Sequence, residues 1–490
     1  MKKKLLMLAL LLSAVSPVNH QPVNLDDNSF DENNVVLSFG GITDTHCNPN
    51  YPKYRKAMGN MIDYLEELNN NSPLDGLVIG GDLVDTTWST EGTNLVDFKE
   101  FTAEIHDKID PDQTALFYTM GNHDVDPTST RGEDCANVGK YYFNYLGKEY
   151  FKNDVNYLEM FDESGQATDK VTNNRHMVLN NHHFIAVTPK YFWNIDNAFT
   201  EETITWLRNA LSDAAKEDPS KPIFVVSHAP IMNSVRASEN ENWAYRDLEN
   251  VLSDYPQVVY LSGHIHNLIA DSLCIEQRNF TMVDLGTTKN SGSFNTYETG
   301  NYKWNNYEGD YYYENAIGSI DISSGAFFQV DNKGNIKISR FIVNADESIK
   351  GVLKPWYIDS PKEDLSHLVR YNDEYRKATN ERPYFKDDGA LLISQRDNNC
   401  VATVSSAFDE EYVEYYQFTL KTIYGQTIWS KQYQTFYFKD LVNENTSPKL
   451  FNLGNISEGK YLLEVRAGDV WHAVSDPLVT VLKVEKEATL

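Results

Sequence analysis

Short apolar runs recur along the first half of the chain: Val35–Phe39, Leu77–Ile79, Ala115–Met120, Phe184–Val187, Ile223–Val226 and Val258–Leu261. Each is strand length and apolar at consecutive positions rather than alternate ones, as expected of strands covered on both faces. Helical patterns lie between them. In Pro52 to Leu68, the residues Met58, Met61, Ile62, Leu65 and Leu68 fall near helical spacing. Thr200 before Glu201 and Glu202 reads as a cap and acidic first turn of a helix running to about Ala215. Its buried face would be Trp206, Leu207, Ala210 and Leu211. Residues 317–343 add strands around an Asp331-Asn332-Lys333-Gly334 turn.

Two segments break this rhythm. Residues 125–180 are long, polar and rich in Tyr, Phe and Asn. Residues 291–316 crowd Tyr297, Tyr302, Trp304, Tyr307, Tyr311, Tyr312 and Tyr313 among Gly and Asn. The second reads either as an adaptable wall for a planar or sugar-like group or as a Tyr-rich surface hairpin. A polar, charged region, 346–385, reads as a linker. Beyond it the pattern changes to short β-rich pieces: Leu391–Ser394, Val401–Ser405, Tyr415–Thr422, Tyr433–Phe438 and Tyr461–Val465. That spacing predicts a C-terminal β-sandwich over 386–490. The tail Gly459-Lys460-Tyr461-Leu462-Leu463-Glu464-Val465-Arg466-Ala467 loosely resembles the late strands of a fibronectin type III domain.

Composition narrows the function classes. The 490 residues are 41% hydrophobic, enough for a packed core, and too many for a single one. With 43 Lys+Arg against 71 Asp+Glu, the formal charge is −28, which argues against a broad basic surface for a nucleic-acid groove or an anionic membrane. A small anionic substrate is still allowed, because salt screens surface charge beyond about 8 Å. The cysteines 47, 135, 274 and 400 lack CxxC spacing, so neither a disulfide scaffold nor a thiolate zinc site is expected. Cys47 with Cys135 is the one pair worth testing for a bridge; otherwise all four are free.

Residues 1–16 have the form of an export signal. Lys2, Lys3 and Lys4 precede the apolar run Leu5 to Leu12, and Ala14 and Ser16 suit cleavage. Pro17 is an awkward neighbour of that cut, so an uncleaved anchor is the alternative. The expectation is a secreted or cell-surface protein without a transmembrane segment in its mature form. Residues 17–34 read as a polar linker.

The chemistry sits just after the apolar runs. Asp44-Thr45-His46 follows the first, Gly81-Asp82-Leu83-Val84-Asp85 the second and Gly121-Asn122-His123-Asp124 the third. Ser227-His228-Ala229-Pro230 and Gly263-His264-Ile265-His266 follow the last two. Open α/β sheets present ligand-binding groups at these strand ends. Imidazoles, carboxylates and an amide without thiolate suit divalent Mn, Fe, Zn or Mg. Asp44, His46, Asp82, Asn122, His228, His264 and His266 are too many ligands for one tetrahedral ion and suit two sharing a carboxylate. Asp-x-His and His-x-His would project both side chains to one face of an extended chain. Of the remaining histidines, His182 and His183 alone lie where proximity to the site needs checking.

These blocks, in this order, resemble the calcineurin-like metallophosphoesterase family over residues 35–345. The resemblance implies an α/β (α+β) four-layer fold, two packed mixed β-sheets flanked by helices. It implies that Asp44, His46, Asp82 and His266 hold one ion, and that Asp82, Asn122, His228 and His264 hold the other. It further implies that His123 meets the substrate phosphate and helps protonate the leaving group, with Asp124 orienting it and Asp85 supporting the ligands from behind. Two such ions can hold a bridging water acidic enough to attack phosphorus as hydroxide. The expected substrate is a small phosphoester, a phosphodiester or cyclic nucleotide ahead of a monoester. The alternative is a catalytically weak adaptor or scaffold that binds a cell-surface ligand through the C-terminal sandwich.

Overall fold

The computed structural model describes residues 29–85, 94–124, 142–168, 173–190, 197–239, 243–289, 311–312, 322–344, 346–347, 349–396, 399–435, 437, 441 and 446–485. The export signal, Cys135 and nearly all of 291–316 lie outside them.

Two mixed sheets form the larger unit. In the first, β1 (Val35–Ile42) pairs in parallel with β2 (Gly76–Ile79), and β2 with β3 (Ala115–Tyr118). On its other side β1 runs antiparallel to β11 (Ser323–Asp331), which pairs with β12 (Ile336–Val343). The second sheet has the order β4 (Arg175–Leu179), β5 (His182–Ala186), β6 (Ile223–Val226), β7 (Val258–Ser262), β9 (Thr281–Asp284), β8 (Ile275–Gln277). Its β5, β6, β7 and β9 are parallel. The consecutive apolar positions have the expected cause: both faces of these strands are covered.

Between the sheets lies one cluster that includes Leu37, Phe39, Phe117, Phe184, Phe224 and Phe328. Phe39 stacks on Phe328 at 4.6 Å and meets the edges of Phe184 and Phe224 at 5.1 and 4.8 Å. Helices α1 (Pro52–Leu68) and α2 (Asn94–Lys108) cover the outer face of the first sheet through Met58, Met61, Ile62, Leu65, Phe101 and Ile105. Helix α3 (Glu201–Glu217) covers the second through Leu207, Ala210, Leu211 and Ala214, with Trp206 at its margin. Thr200 caps α3 by accepting the Thr203 amide.

The stretch 346–385, expected as a linker, is folded onto this unit. Strands β13 (Lys350–Val352) and β14 (Trp356–Ile358) both pair with β12. Trp356, Ile358 and Tyr371 enter the cluster between the sheets, and α4 (Asp373–Thr379) follows. The charged majority hid these few apolar anchors.

The C-terminal part holds two antiparallel-paired sheets around Phe418, Tyr433, Phe451 and Val465. One contains β15 (Leu391–Arg396), β16 (Asn399–Val404) and β19 (Lys449–Asn455), joined in parallel by β10 (Tyr311–Tyr312). The other contains β18 (Thr427–Gln434), β17 (Tyr415–Thr422), β20 (Gly459–Gly468) and β21 (Leu478–Val484). The arrangement is consistent with a sandwich. Sequence pattern missed β19 and β21 and set β18 too late, because their exposed faces carry mixed residues. No described helix is long and apolar enough to cross a membrane.

Candidate metal centre

All five sequence blocks meet at the carboxyl ends of β1, β2, β3, β6 and β7. The loops after β1 and β2 are stitched together by Asp44 N–H to Gly81 C=O (3.0 Å) and His46 N–H to Asp82 C=O (2.9 Å). Gly263 N–H donates to His228 C=O at 2.8 Å, tying the loops after β6 and β7. The paired ligands do not sit on extended chain, as their alternate spacing implied. Asp44 (φ 52°), His46 (44°), Asp82 (50°), His264 (74°) and His266 (52°) all hold left-handed backbone. Asp and His tolerate that region better than most residues, and its concentration here turns side chains from separate loops toward one point.

The converging atoms are close. His46 Nε2 lies 3.2 Å from His266 Nε2, 3.8 Å from Asp44 Oδ1 and 3.5 Å from Asp82 Oδ2. His266 Nε2 is 3.2 Å from Asp44 Oδ1. On the other side, His228 Nε2 is 3.2 Å from Asp82 Oδ2 and 3.2 Å from His264 Nδ1. Asp44, His46, Asp82 and His266 form one group able to hold an ion, and Asp82, His228 and His264 form another; Asp82 belongs to both. Two ligand atoms each about 2.1 Å from one ion stand roughly 3.0–3.4 Å apart at octahedral to tetrahedral angles, so the shorter contacts suit a shared cation. Asp44 Oδ1 and Asn122 Oδ1 are buried acceptors without a hydrogen-bond partner. An unpaired buried acceptor beside imidazole nitrogens, as Asp44 Oδ1 is, fits a cation-binding role.

Surrounding groups fix the tautomers. His46 Nδ1 pairs with Asp85 Oδ1 at 2.9 Å and His228 Nδ1 donates to Gly80 C=O at 2.8 Å, leaving each Nε2 for the cluster. Lys289 Nζ holds Asp85 Oδ1 from the far side at 2.7 Å. The other oxygens of the central carboxylates are also held. Asp44 Oδ2 accepts from Thr43 Oγ1 (2.8 Å) and His264 N–H (3.0 Å), and Asp82 Oδ1 accepts from His123 N–H (2.7 Å). Burial alone would raise the Asp44 carboxyl, but His266 and His46 beside it hold it well below the usual range. Burial alone would lower His228, but Asp82 and Asp44 push it up to about 9. The charge balance of the ion-free cluster therefore depends on a cation, a proton or a metal, between these groups.

Asp44, His46, Asp82 and His228 are fully or almost fully buried, whereas His123, His264 and His266 reach the surface. The site therefore opens on its histidine side. One expectation fails. Asp124 does not touch the His123 ring; its carboxylate accepts from the backbone N–H groups of Gly121 (2.7 Å), Leu83 (3.2 Å) and Val84 (3.1 Å) and from Tyr142 Oη (2.9 Å). It braces the loops after β2 and β3. His123 Nδ1 instead meets Asp85 C=O at 3.0 Å. His182 and His183 stand at the opposite end of β5, where His183 pairs with His176 (2.8 Å) and Glu217 (3.2 Å). Lys289, Tyr142 and the Gly80 carbonyl escaped sequence reasoning because no local pattern marks a residue that serves a loop distant in sequence. Cys47 is free and buried.

Comparison with known proteins agrees with this geometry. Residues 37–268 match the family model described as calcineurin-like phosphoesterase. No curated protein matches the chain. Among solved structures, a purple acid phosphatase from yellow lupin (Lupinus luteus) seeds is 13% identical, with 67% of this chain and 55% of that one covered and a TM-score of 0.42. The chain thus spans about half of the lupin enzyme's length. A putative 5'-nucleotidase from Staphylococcus aureus is 14% identical over 68% of this chain and 57% of its own, with a TM-score of 0.29. Fibronectin(III)-like modules of Clostridium thermocellum CbhA are 12% identical over 36% and 76%, with a TM-score of 0.14. At such identities and scores none of the three carries weight for this chain's chemistry. The family match and the ligand cluster together identify residues 37–268 as a calcineurin-like phosphoesterase domain, from a family of metal-dependent hydrolases.

Proposed function

We propose that this chain is an exported binuclear phosphoesterase that hydrolyses a small phosphoester, a phosphodiester or cyclic nucleotide ahead of a monoester. Asp44, His46, Asp82 and His266 would hold one divalent ion, and Asp82, Asn122, His228 and His264 the other. The observation that carries this reading is the Asp82 carboxylate shared by two ligand groups. The helix–sheet–sheet–helix layering belongs to the same reading, as does a fibronectin type III-like identity for residues 386–490. The phosphodiester preference rests on the resemblance of the Gly121-Asn122-His123-Asp124 block to that branch of the family.

When bound, such ions polarise phosphoryl oxygens and lower the pKa of water toward neutrality. The chain's own groups do the rest. With Nδ1 taken by the Asp85 carbonyl, His123 keeps Nε2 to meet a phosphoryl oxygen and hold a proton for the leaving oxygen. Asp85 and the Gly80 carbonyl engage Nδ1 of His46 and His228 and so leave each Nε2 turned toward the cluster. Asp124 keeps the loops carrying Asp82 and Asn122 in register. The buried floor excludes water from the carboxylates, which strengthens every charge interaction above them.

The test is metal analysis of the purified chain, followed by a panel of mono-, di- and cyclic phosphoesters with Mn, Fe, Zn or Mg supplied. Two ions per chain and faster turnover of bis-p-nitrophenyl phosphate than of p-nitrophenyl phosphate are expected. A chain that takes up no metal and turns over nothing would remove the enzyme reading in favour of the scaffold.

A further inference from the structure

We infer that Asn267 is a positioning residue for the candidate ligand His266, and that the C-terminal sheets hold it in place through Arg236. That role rests on the two-ion reading of the site proposed above, and names the part of the chain that aims one ligand.

His266 needs such aim. Its backbone is left-handed (φ 52°) and its side chain is 22% exposed, yet its Nε2 stands 3.2 Å from both His46 Nε2 and Asp44 Oδ1. Left-handed backbone carries strain and persists only where the surroundings enforce it. The enforcing contacts begin at the next residue. Asn267 is buried, and its Nδ2 donates to Arg236 C=O at 2.8 Å and to Asp284 Oδ2 at 3.2 Å. A side-chain amide has two N–H donors, so both are engaged. Asp284 ends β9 and is itself fixed, its Oδ1 accepting the Gly286 N–H at 2.9 Å. Asn267 thus fastens the chain after β7 to the end of β9 and to the loop after β6.

Arg236 is fixed in turn. Its N–H donates to Leu273 C=O at 3.0 Å, its guanidinium contacts Asp271 and its carbonyl accepts from Asn267. It therefore grips the segment 267–273 at three points. The C-terminal sheets close this grip from the far side. Glu414, just before β17, accepts from Arg236 Nη2 at 2.8 Å, and Tyr412 Oη donates to Asp271 Oδ1 at 2.9 Å. All four side chains are buried. In such surroundings a charged group cannot leave its partner without a large desolvation cost, so the grip is stiff. The line from Glu414 through Arg236 and Asn267 ends on the backbone of His266.

Calorimetric titration of the chelator-stripped full chain with Mn²⁺ tests this. Asn267→Asp keeps the side chain's size, removes the Nδ2 donor and sets a carboxylate oxygen against Asp284. It is expected to weaken one ion by about 10–100-fold, the usual cost of losing a group that orients a ligand, and to leave the other unchanged. The deciding arm is the double variant. On a His266→Ala background the same substitution is expected to add no further loss, because the ligand it aims is gone. Glu414→Gln keeps its shape and neutralises the far end of the line. It is expected to weaken the same ion with the same dependence on His266, and it decides alone if Asn267→Asp fails to fold. Wild-type affinity for both ions in Asn267→Asp overturns the positioning role. So does a loss repeated in full without His266, the mark of general loosening. Wild-type affinity in Glu414→Gln overturns the part given to the C-terminal sheets. A wild-type chain that binds no Mn²⁺ is a separate failure, visible before any variant is made: it removes the two-ion reading, and this role with it.

Discussion

His46 offers one nitrogen to the cluster because Asp85 occupies the other, and Asp85 is itself held by Lys289. Removing the Asp85 charge should leave the fold intact and loosen the ring. Asp85→Asn is expected to lower metal affinity about 10–100-fold, read by metal content after dialysis against a chelator. Asp82→Ala should be harsher, because both groups share that carboxylate. Activity should fall by at least about 10²–10³, more than for alanine at any single histidine, in a protein whose circular dichroism is unchanged. A fully active Asp82→Ala would end the two-ion account. Gly81 illustrates how tight the floor is. Its φ is 101°, and a Cβ there would stand 2.6 Å from His228 Nδ1. An alanine would be strained by its backbone and would displace a candidate ligand.

The elements are held by ordinary means, and the β4–β5 hairpin adds a titratable contact. The β4–β5 hairpin pairs His176 Nε2 with His183 Nδ1 at 2.8 Å, a contact that requires a proton on only one of the two nitrogens. Burial and the neighbouring His183 lower His176 to about 4. An unfolded histidine titrates near 6.5, so between those values the unfolded chain binds more protons than the folded one. Stability then rises with pH through this window and is lost as pH falls from about 6.5 to about 4. The pair is partly open to solvent, so the loss should be about 1–2 kcal/mol. His176→Asn should reduce the drop in melting temperature between pH 6.5 and 4.5; an unaltered pH slope would exclude the pair as its source. Helix α3 shows the opposite case, since its start is written locally in Thr200 and the two glutamates after it.

At the scale of the whole molecule, the C-terminal sheets are packed against the catalytic unit and not tethered to it. Arg236 Nη2 meets Glu414 Oε1 at 2.8 Å and its guanidinium also contacts Asp271, whose Oδ1 accepts from Tyr412 Oη at 2.9 Å. All four residues are buried. Leu268, Ala270, Ile342 and Leu353 share one apolar cluster with Tyr412, Tyr437 and Val470. The backbone carbonyl of Arg236 accepts from Asn267 Nδ2 at 2.8 Å, next to His266. Glu414→Ala strands part of a buried charge and should cost about 3–5 kcal/mol in thermal or urea unfolding. Truncation near residue 385 should lower stability and metal retention together. A truncated chain with wild-type melting and metal content would restore the picture of a detachable adaptor.

What is local could be read from the residues in order: the buried strands, the capped helix α3, and the Asp, Asn and His after the strands. Apolar continuity and cap chemistry depend on neighbours a few positions away, so they are legible in one dimension. The site residues could be named but not assembled. That Asp124 braces backbone while the Asp85 carbonyl meets His123 was decided by loops meeting across a sheet. That residues 350–379 fold onto β12 and into the core was decided by a few apolar anchors among charges. Tertiary structure alone chose these partners, because burial forces each polar group to find a donor, acceptor or counter-charge wherever the fold brings one.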